Sequence, residues 1–202
     1  MNALILVDIQ NDFLPGGALA VPRGDEVVPV ANRWMRDDRC ELVVATQDWH
    51  PAGHGSFASS HPGRKVGEVV RLNGLEQVLW PDHCVQGTRG AEFAPGLEVA
   101  RIQRVVRKGT DRGVDSYSGF FDNGGRNPTG LERLLREAGA ERVWIMGLAT
   151  DYCVLATVLD ARKLGFAVSL VLPGIRGVEL RPGDCARAVE RMVGAGAEVV
   201  EA

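Results

Sequence analysis

Cys153 lies within one turn of the start of a helical run, in the segment Gly-Leu-Ala-Thr-Asp-Tyr-Cys-Val, residues 147–154. A thiol so placed sits in the positive end of a helix dipole, and a nearby lysine would further favour the thiolate, its nucleophilic form. Cysteine is also a common buried filler, so position alone leaves both readings open. Asp8 and Lys108 each close a short apolar run. Brought beside Cys153, they would supply a base for the thiol proton and a cation to hold the anions, with no histidine needed. The same two side chains could instead form a plain ion pair. A second group is Asp48-Trp49-His50, with His83 further on. In extended chain alternate residues point the same way, so Asp48 and His50 can share a ligand. Two imidazoles and a carboxylate suit Zn²⁺ or Fe²⁺, with the remaining positions left to water or substrate, although so short a spacing also arises by chance. In the same loop, His54 is a candidate outer group or extra ligand, and His61, among Ser and Pro, reads as a surface residue. Cys84, beside His83, reads as a filler.

Several chemistries have no support. No GxGxxG follows the first apolar run, and neither GxxxxGK[ST] nor a GxSxG elbow occurs, so dinucleotide, nucleoside triphosphate and serine-hydrolase readings fall away. Asp8-Ile9-Gln10 lacks the second aspartate that an aspartyl-phosphate phosphatase places two residues after its nucleophile. The 23 basic and 26 acidic residues give a charge of −3 with no long single-sign run. That leaves no electrostatic footprint for nucleic acid or an anionic membrane and favours a small neutral ligand. Four cysteines without a CxxC pair indicate neither a disulfide framework nor a zinc knuckle. The N-terminus has no basic region before its apolar run and turns acidic at Asp8, which predicts no signal peptide, no spanning helix and a cytoplasmic protein.

The elements that must carry these residues alternate. Ala3–Val7, Leu42–Thr46, Val105–Arg107, Val143–Leu148, Phe166–Leu172 and Glu198–Val200 read as strands, apolar at successive positions as strands buried on both faces are. Helices are predicted over 25–37, from Thr129 with a Thr129/Glu132 capping box, over 151–164 and over 184–193. Such alternation over 202 residues predicts one α/β domain spanning 1–202, a parallel sheet with helices on both faces. The stretch from about 47 to 98 shows no regular periodicity, and an irregular segment that long in a compact domain is usually functional. In open parallel sheets ligands bind outside the carboxyl ends of the strands. Asp8, Asp48, His50, Lys108 and Cys153 all fall at such ends.

At these residues the sequence resembles the nicotinamidase branch of the isochorismatase-like cysteine hydrolase family. The resemblance spans essentially the whole chain through VDIQNDF with GGALAV, QDWHPAGHGSF, WPDHCVQGT, RKGTDRGVDSYSGF and GLATDYCV. It implies a three-layer α/β/α fold with a six-stranded parallel sheet of order 3-2-1-4-5-6. It implies a triad of Asp8, Lys108 and Cys153, an oxyanion hole of the Ala149 and Cys153 N–H groups after a cis Leu148–Ala149 bond, and metal ligands Asp48, His50 and His83 in the 47–98 loop. Phe13, Trp80 and Tyr117 match positions flanking a flat ring, although Trp80 also suits plain loop packing. The implied reaction is hydrolysis of nicotinamide to nicotinate and ammonia in NAD salvage, with pyrazinamide as a second substrate and one divalent ion, zinc or iron with manganese also acceptable. A related amidohydrolase acting on another small amide or ureido compound remains open, as does a catalytically silent binding protein. The expected assembly is a monomer or small homo-oligomer. Tyr152, where several relatives carry histidine, and the loop bearing Asp111 and Arg112 depart from the pattern and bear on substrate preference.

Overall fold

The computed structural model describes residues 1–201. Strand β1, Asn2–Val7, is buried from Ala3 to Val7 because it has neighbours on both edges. Leu4 pairs with Val43 of β2 (Leu42–Asp48) on one side and with Trp144 of β6 (Arg142–Leu148) on the other. With β5 (Arg104–Lys108), β7 (Ala167–Arg176) and β8 (Glu198–Val200) these strands form a sheet of order β5-β2-β1-β6-β7-β8, every pair parallel. This is the anticipated 3-2-1-4-5-6 order. Parallel neighbours need crossover connections, which are right-handed. The chain steps one way from β1 to β2 and the other way from β5 to β8. Helix α1 (Val27–Trp34) therefore covers one face, and α2 (Leu131–Glu137), α3 (Leu155–Lys163) and α4 (Asp184–Gly194) the other. Trp34 of α1 packs 4.8 Å from Trp144, with the Arg39 guanidinium over both rings.

Some boundaries differ from expectation. Helix α1 is preceded by a 3₁₀ turn, Gly24–Glu26, so Pro29 falls in its first turn, where no N–H bond is forfeited. The Thr129/Glu132 capping box does not form. Gly130, at φ 96°, takes the N-cap, and the Thr129 hydroxyl donates to Gly119 O at 2.6 Å while accepting from Leu131 N; Glu132 faces Arg136 instead. Tying down the Gly119 loop outcompetes the cap. The 47–98 stretch is not wholly irregular either, since it holds an antiparallel hairpin, β3 (Val69–Leu72) and β4 (Leu75–Val78). Its turn, Asn73-Gly74, has φ of 49° and 87°, the doubly positive turn that Asn-Gly adopts readily. Among the described residues no helix is long and apolar enough to cross a membrane.

Candidate active site

Asp8 follows β1 with φ 48°, Lys108 is the last residue of β5, and Cys153 lies on a π-helical turn, Thr150–Val154, between β6 and α3. The sheet brings all three together in the interior. Lys108 Nζ donates to Asp48 Oδ1 at 2.5 Å, to Ser116 O at 2.8 Å and to Cys153 Sγ at 3.5 Å, and lies 2.8 Å from Asp8 Oδ2. An ammonium has three hydrogens. Four acceptors compete for them, and the 2.8 Å ion pair to Lys108 still leaves Asp8 Oδ2 a second lone pair open. The other oxygen, Oδ1, accepts from Thr46 Oγ1 at 2.7 Å. Carboxylate oxygens of Asp8 and Asp48 and the sulfur of Cys153 lie within 4.8 Å of one another. A buried carboxylate with an open lone pair beside a thiol is a proton acceptor in place.

Electrostatics sets the resting protonation. Burial lifts the Asp8 pKa to about 6 even with Lys108 pulling it down. For Asp48 burial acts the same way, but Lys108 and His50 outweigh it and hold the group well below the usual carboxylate range. Lys108 is pushed up by Asp48 and Asp8 against its burial and stays charged. Burial pushes the Cys153 thiol well above its ordinary value, with Asp8 and Asp48 adding to the rise and Lys108 opposing it. The thiolate expected from helix dipole and lysine is therefore not the resting form. Full burial beside two carboxylates outweighs both.

Asp48, His50 and His83 meet next to the triad, with donor atoms within 4.8 Å of one another. His50 Nδ1 bonds Gly109 O at 2.9 Å and His83 Nδ1 bonds Pro81 O at 2.8 Å. Each carbonyl can only accept, so each ring carries a proton on Nδ1 and points Nε2 inward, the orientation that prepares a histidine ligand. His50 Nε2 is buried without a hydrogen-bond partner, 3.6 Å from Asp48 Oδ2, and His83 Nε2 lies 4.0 Å from the same oxygen. Burial and His50 lower the His83 pKa to about 4, whereas Asp48 lifts His50 to about 9 against its burial. The cluster thus favours one positive charge, and the donors fit a divalent cation. His54 is not free to join them, because Nδ1 accepts from Ser56 Oγ at 2.7 Å and Nε2 donates to Asp111 O at 2.8 Å. Its ring packs 4.5 Å from that of His50. His61 bonds Gly55 O through Nε2, away from the cluster.

A narrow slot leads to the sulfur. Phe13, Trp80 and Tyr117 line it together with Asp48, His83, Asp115, Ala149, Tyr152, Leu19 and Val178. The cavity is about 30 Å³, room for about one or two waters. Trp80 Nε1 and Gln77 Nε2 both donate to the Tyr117 hydroxyl, and Gln77 also donates to Asp115 Oδ2 at 3.2 Å. The Leu148–Ala149 bond is cis. Tyr152, edge-on to Trp80 at 4.8 Å, also lines an outer groove of about 600 Å³ that carries Arg181, Arg187 and Arg191. Three site residues are absent from the sequence reading. Thr46 was accessible to it, being two places before Asp48 on the same strand and so on the same face. Gln77 and Asp115 come from segments without periodicity, and only the Asn73-Gly74 turn pointed to the hairpin that carries Gln77.

The chain is similar to named proteins along nearly its full length. It is 53% identical over 199 residues to a nicotinamidase of Escherichia coli K12, covering 97% of this chain and 92% of that one. A solved nicotinamidase/pyrazinamidase of Acinetobacter baumannii superposes with a TM-score of 0.94 at 42% identity, covering 99% and 95% of the two chains. A pyrazinamidase of Pyrococcus horikoshii solved in complex with zinc superposes with a TM-score of 0.80 at 40% identity, covering 100% and 99%. The family profile described as Isochorismatase domain matches residues 2–202, and with this site at its sheet edge the chain belongs to the isochorismatase family.

Proposed function

We propose that the chain is a metal-containing cysteine amidohydrolase that converts nicotinamide and water to nicotinate and ammonia, with pyrazinamide as a second ring amide. The observation that carries this reading is the open Oδ2 lone pair of Asp8 beside the buried Cys153 thiol, both held by one lysine at the foot of an aromatic slot. The names of the three relatives support it. Asp8 takes the thiol proton as sulfur attacks the carboxamide carbon. The Ala149 and Cys153 N–H groups hold the resulting oxyanion, a contact worth roughly 3–4 kcal/mol of transition-state stabilisation per donor. As the C–N bond breaks, the protonated Asp8 passes its proton to the departing amine and ammonia leaves. Water then attacks the thioester with Asp8 again as base, releasing nicotinate and restoring the thiol. Lys108 keeps its charge throughout and steadies the anions around it. Phe13, Trp80 and Tyr117 hold the ring flat.

Asp48, His50 and His83 would hold the divalent ion, which when bound supplies a Lewis acid for a ring nitrogen beside the slot. Zinc, iron(II) and manganese(II) all accept these donors. The four free cysteines fit a reducing, cytoplasmic setting, with the chain working as one domain, alone or as a small homo-oligomer in NAD salvage. The test is ammonia release from nicotinamide. Wild-type protein should release it, and Cys153→Ala should lose activity by on the order of 10⁴-fold or more. A Cys153→Ala enzyme near wild-type rate removes the covalent route, and a ureido or carbamoyl compound turned over faster than nicotinamide moves the reading to another amidohydrolase.

A further inference from the structure

The segment after Asp8 makes contacts that the chemistry above does not use. Gln10 is fully buried, and its side-chain amide grips the peptide groups of a ligand residue from both sides. Its Oε1 accepts from Asp48 N at 2.8 Å, and its Nε2 donates to Asp48 O at 2.8 Å and to Ala91 O at 2.9 Å. Both amide hydrogens are committed. Two residues on, Asp12 Oδ2 accepts from Cys84 N at 2.7 Å. Cys84 follows His83, has φ 45°, and accepts from His50 N through its own carbonyl at 3.0 Å. One carboxylate therefore fixes the peptide that adjoins one imidazole ligand and anchors the backbone of the other. Gly90 lies flush against this carboxylate, where any side chain would collide with it.

From these contacts we infer that Gln10 and Asp12 are positioning residues for the metal, Gln10 acting through Asp48 and Asp12 through His83 and His50. All three donors are then referenced to the same few residues that carry Asp8, so the metal site and the thiol's base share one frame. The inference rests on the reading of Asp48, His50 and His83 as a metal site. Outer-shell partners of this kind typically change metal affinity by 10–100-fold when removed.

The experiment is zinc affinity of the metal-stripped protein by competition with a chromophoric chelator, with circular dichroism and thermal midpoint measured alongside. Gln10→Ala and Asp12→Ala are expected to weaken zinc binding by about 10–100-fold, and Gln10→Glu, which keeps the shape but loses both donors, by a similar factor. Asp12→Asn, still able to accept from Cys84 N, should bind zinc within about threefold of wild type. Asn11→Ala is the control, because Asn11 ties the same segment to Arg89 O at 2.7 Å and hydrogen-bonds no ligand residue. It should lose thermal stability without losing zinc affinity. Folded Gln10→Ala, Gln10→Glu or Asp12→Ala protein that binds zinc as wild type does would overturn the inference, as would Asn11→Ala weakening zinc equally. If an alanine variant does not fold, Gln10→Glu and Asp12→Leu, which fills similar space but cannot accept from Cys84 N, decide by the same criteria. Wild-type protein that fails to bind zinc removes the metal reading itself, a result distinct from either.

Discussion

Four contacts surround the three ammonium hydrogens of Lys108, and Asp8 Oδ2, 2.8 Å away, keeps a second lone pair for the proton the chemistry moves. The sign of its pH dependence follows. With its pKa lifted to about 6, the Asp8 carboxyl is a base only above that pH. The low-pH limb of kcat/KM should therefore fall about tenfold per unit below pH 6, and Asp8→Asn should remove the limb along with most of the activity. At this scale the sequence was informative wherever a reactive side chain stands at a strand end: Asp8, Asp48, Lys108 and Cys153 were all legible there. The resting protonation of Cys153 was not, because it depends on how completely the folded chain excludes water and on two carboxylates from other strands. His54 stayed ambiguous in sequence for a related reason. Its engagement by Ser56 and Asp111 is a matter of tertiary geometry.

Elements decide whether those side chains are aimed. Strand β5 ends at Lys108, and the next residue, Gly109, accepts the His50 ring on its carbonyl at φ 62°. A Cβ at this position would strike that ring. Gly109→Ala is accordingly expected to cost more than about 1 kcal/mol of stability in urea unfolding and to lower zinc affinity, both measurable without substrate. The strands were legible because buried parallel strands are apolar throughout, yet the ends of β2 and β7 were placed short. β2 runs on to Asp48, and β7 continues through Pro173 to Arg176, where the register against β6 jumps so that Gly147 pairs with Ile175. No pattern of apolar residues encodes such a jump. The hairpin β3–β4 escaped because four-residue strands give periodicity little to act on, although Leu-Asn-Gly-Leu carried its turn. Its Gln77 braces Tyr117 and Asp115, so a segment read as loop forms part of the slot's wall.

Across the whole molecule, the order β5-β2-β1-β6-β7-β8 gathers residues separated by up to 145 positions at one edge, and its reversal beside β1 opens the space they share. The alternation of strands and helices made the α/β class legible, while the strand order came from family resemblance, since pairing leaves no local trace in an all-parallel sheet. A ligand held by two separate segments, residues 48–50 and His83, stabilises the fold that assembles them. Free zinc at 100 times its Kd should add about 2.7 kcal/mol, which for a chain of this size raises the thermal midpoint by roughly 5–11 °C, and a chelator should reverse the rise. The narrowness of the slot governs a different property, the speed of capture. A slot with a cavity of about 30 Å³ between Leu19, Tyr152 and Val178 is tight for a pyridine ring, and entry is expected to need these side chains to shift. Encounters in solution then mostly end in rebound, and the capture rate is set by how often the wall parts. kcat/KM should fall well below the roughly 10⁸–10⁹ M⁻¹s⁻¹ diffusional ceiling, and raising solvent viscosity with sucrose should leave it nearly unchanged. A proportional fall with viscosity would mean that the mouth stands open in solution.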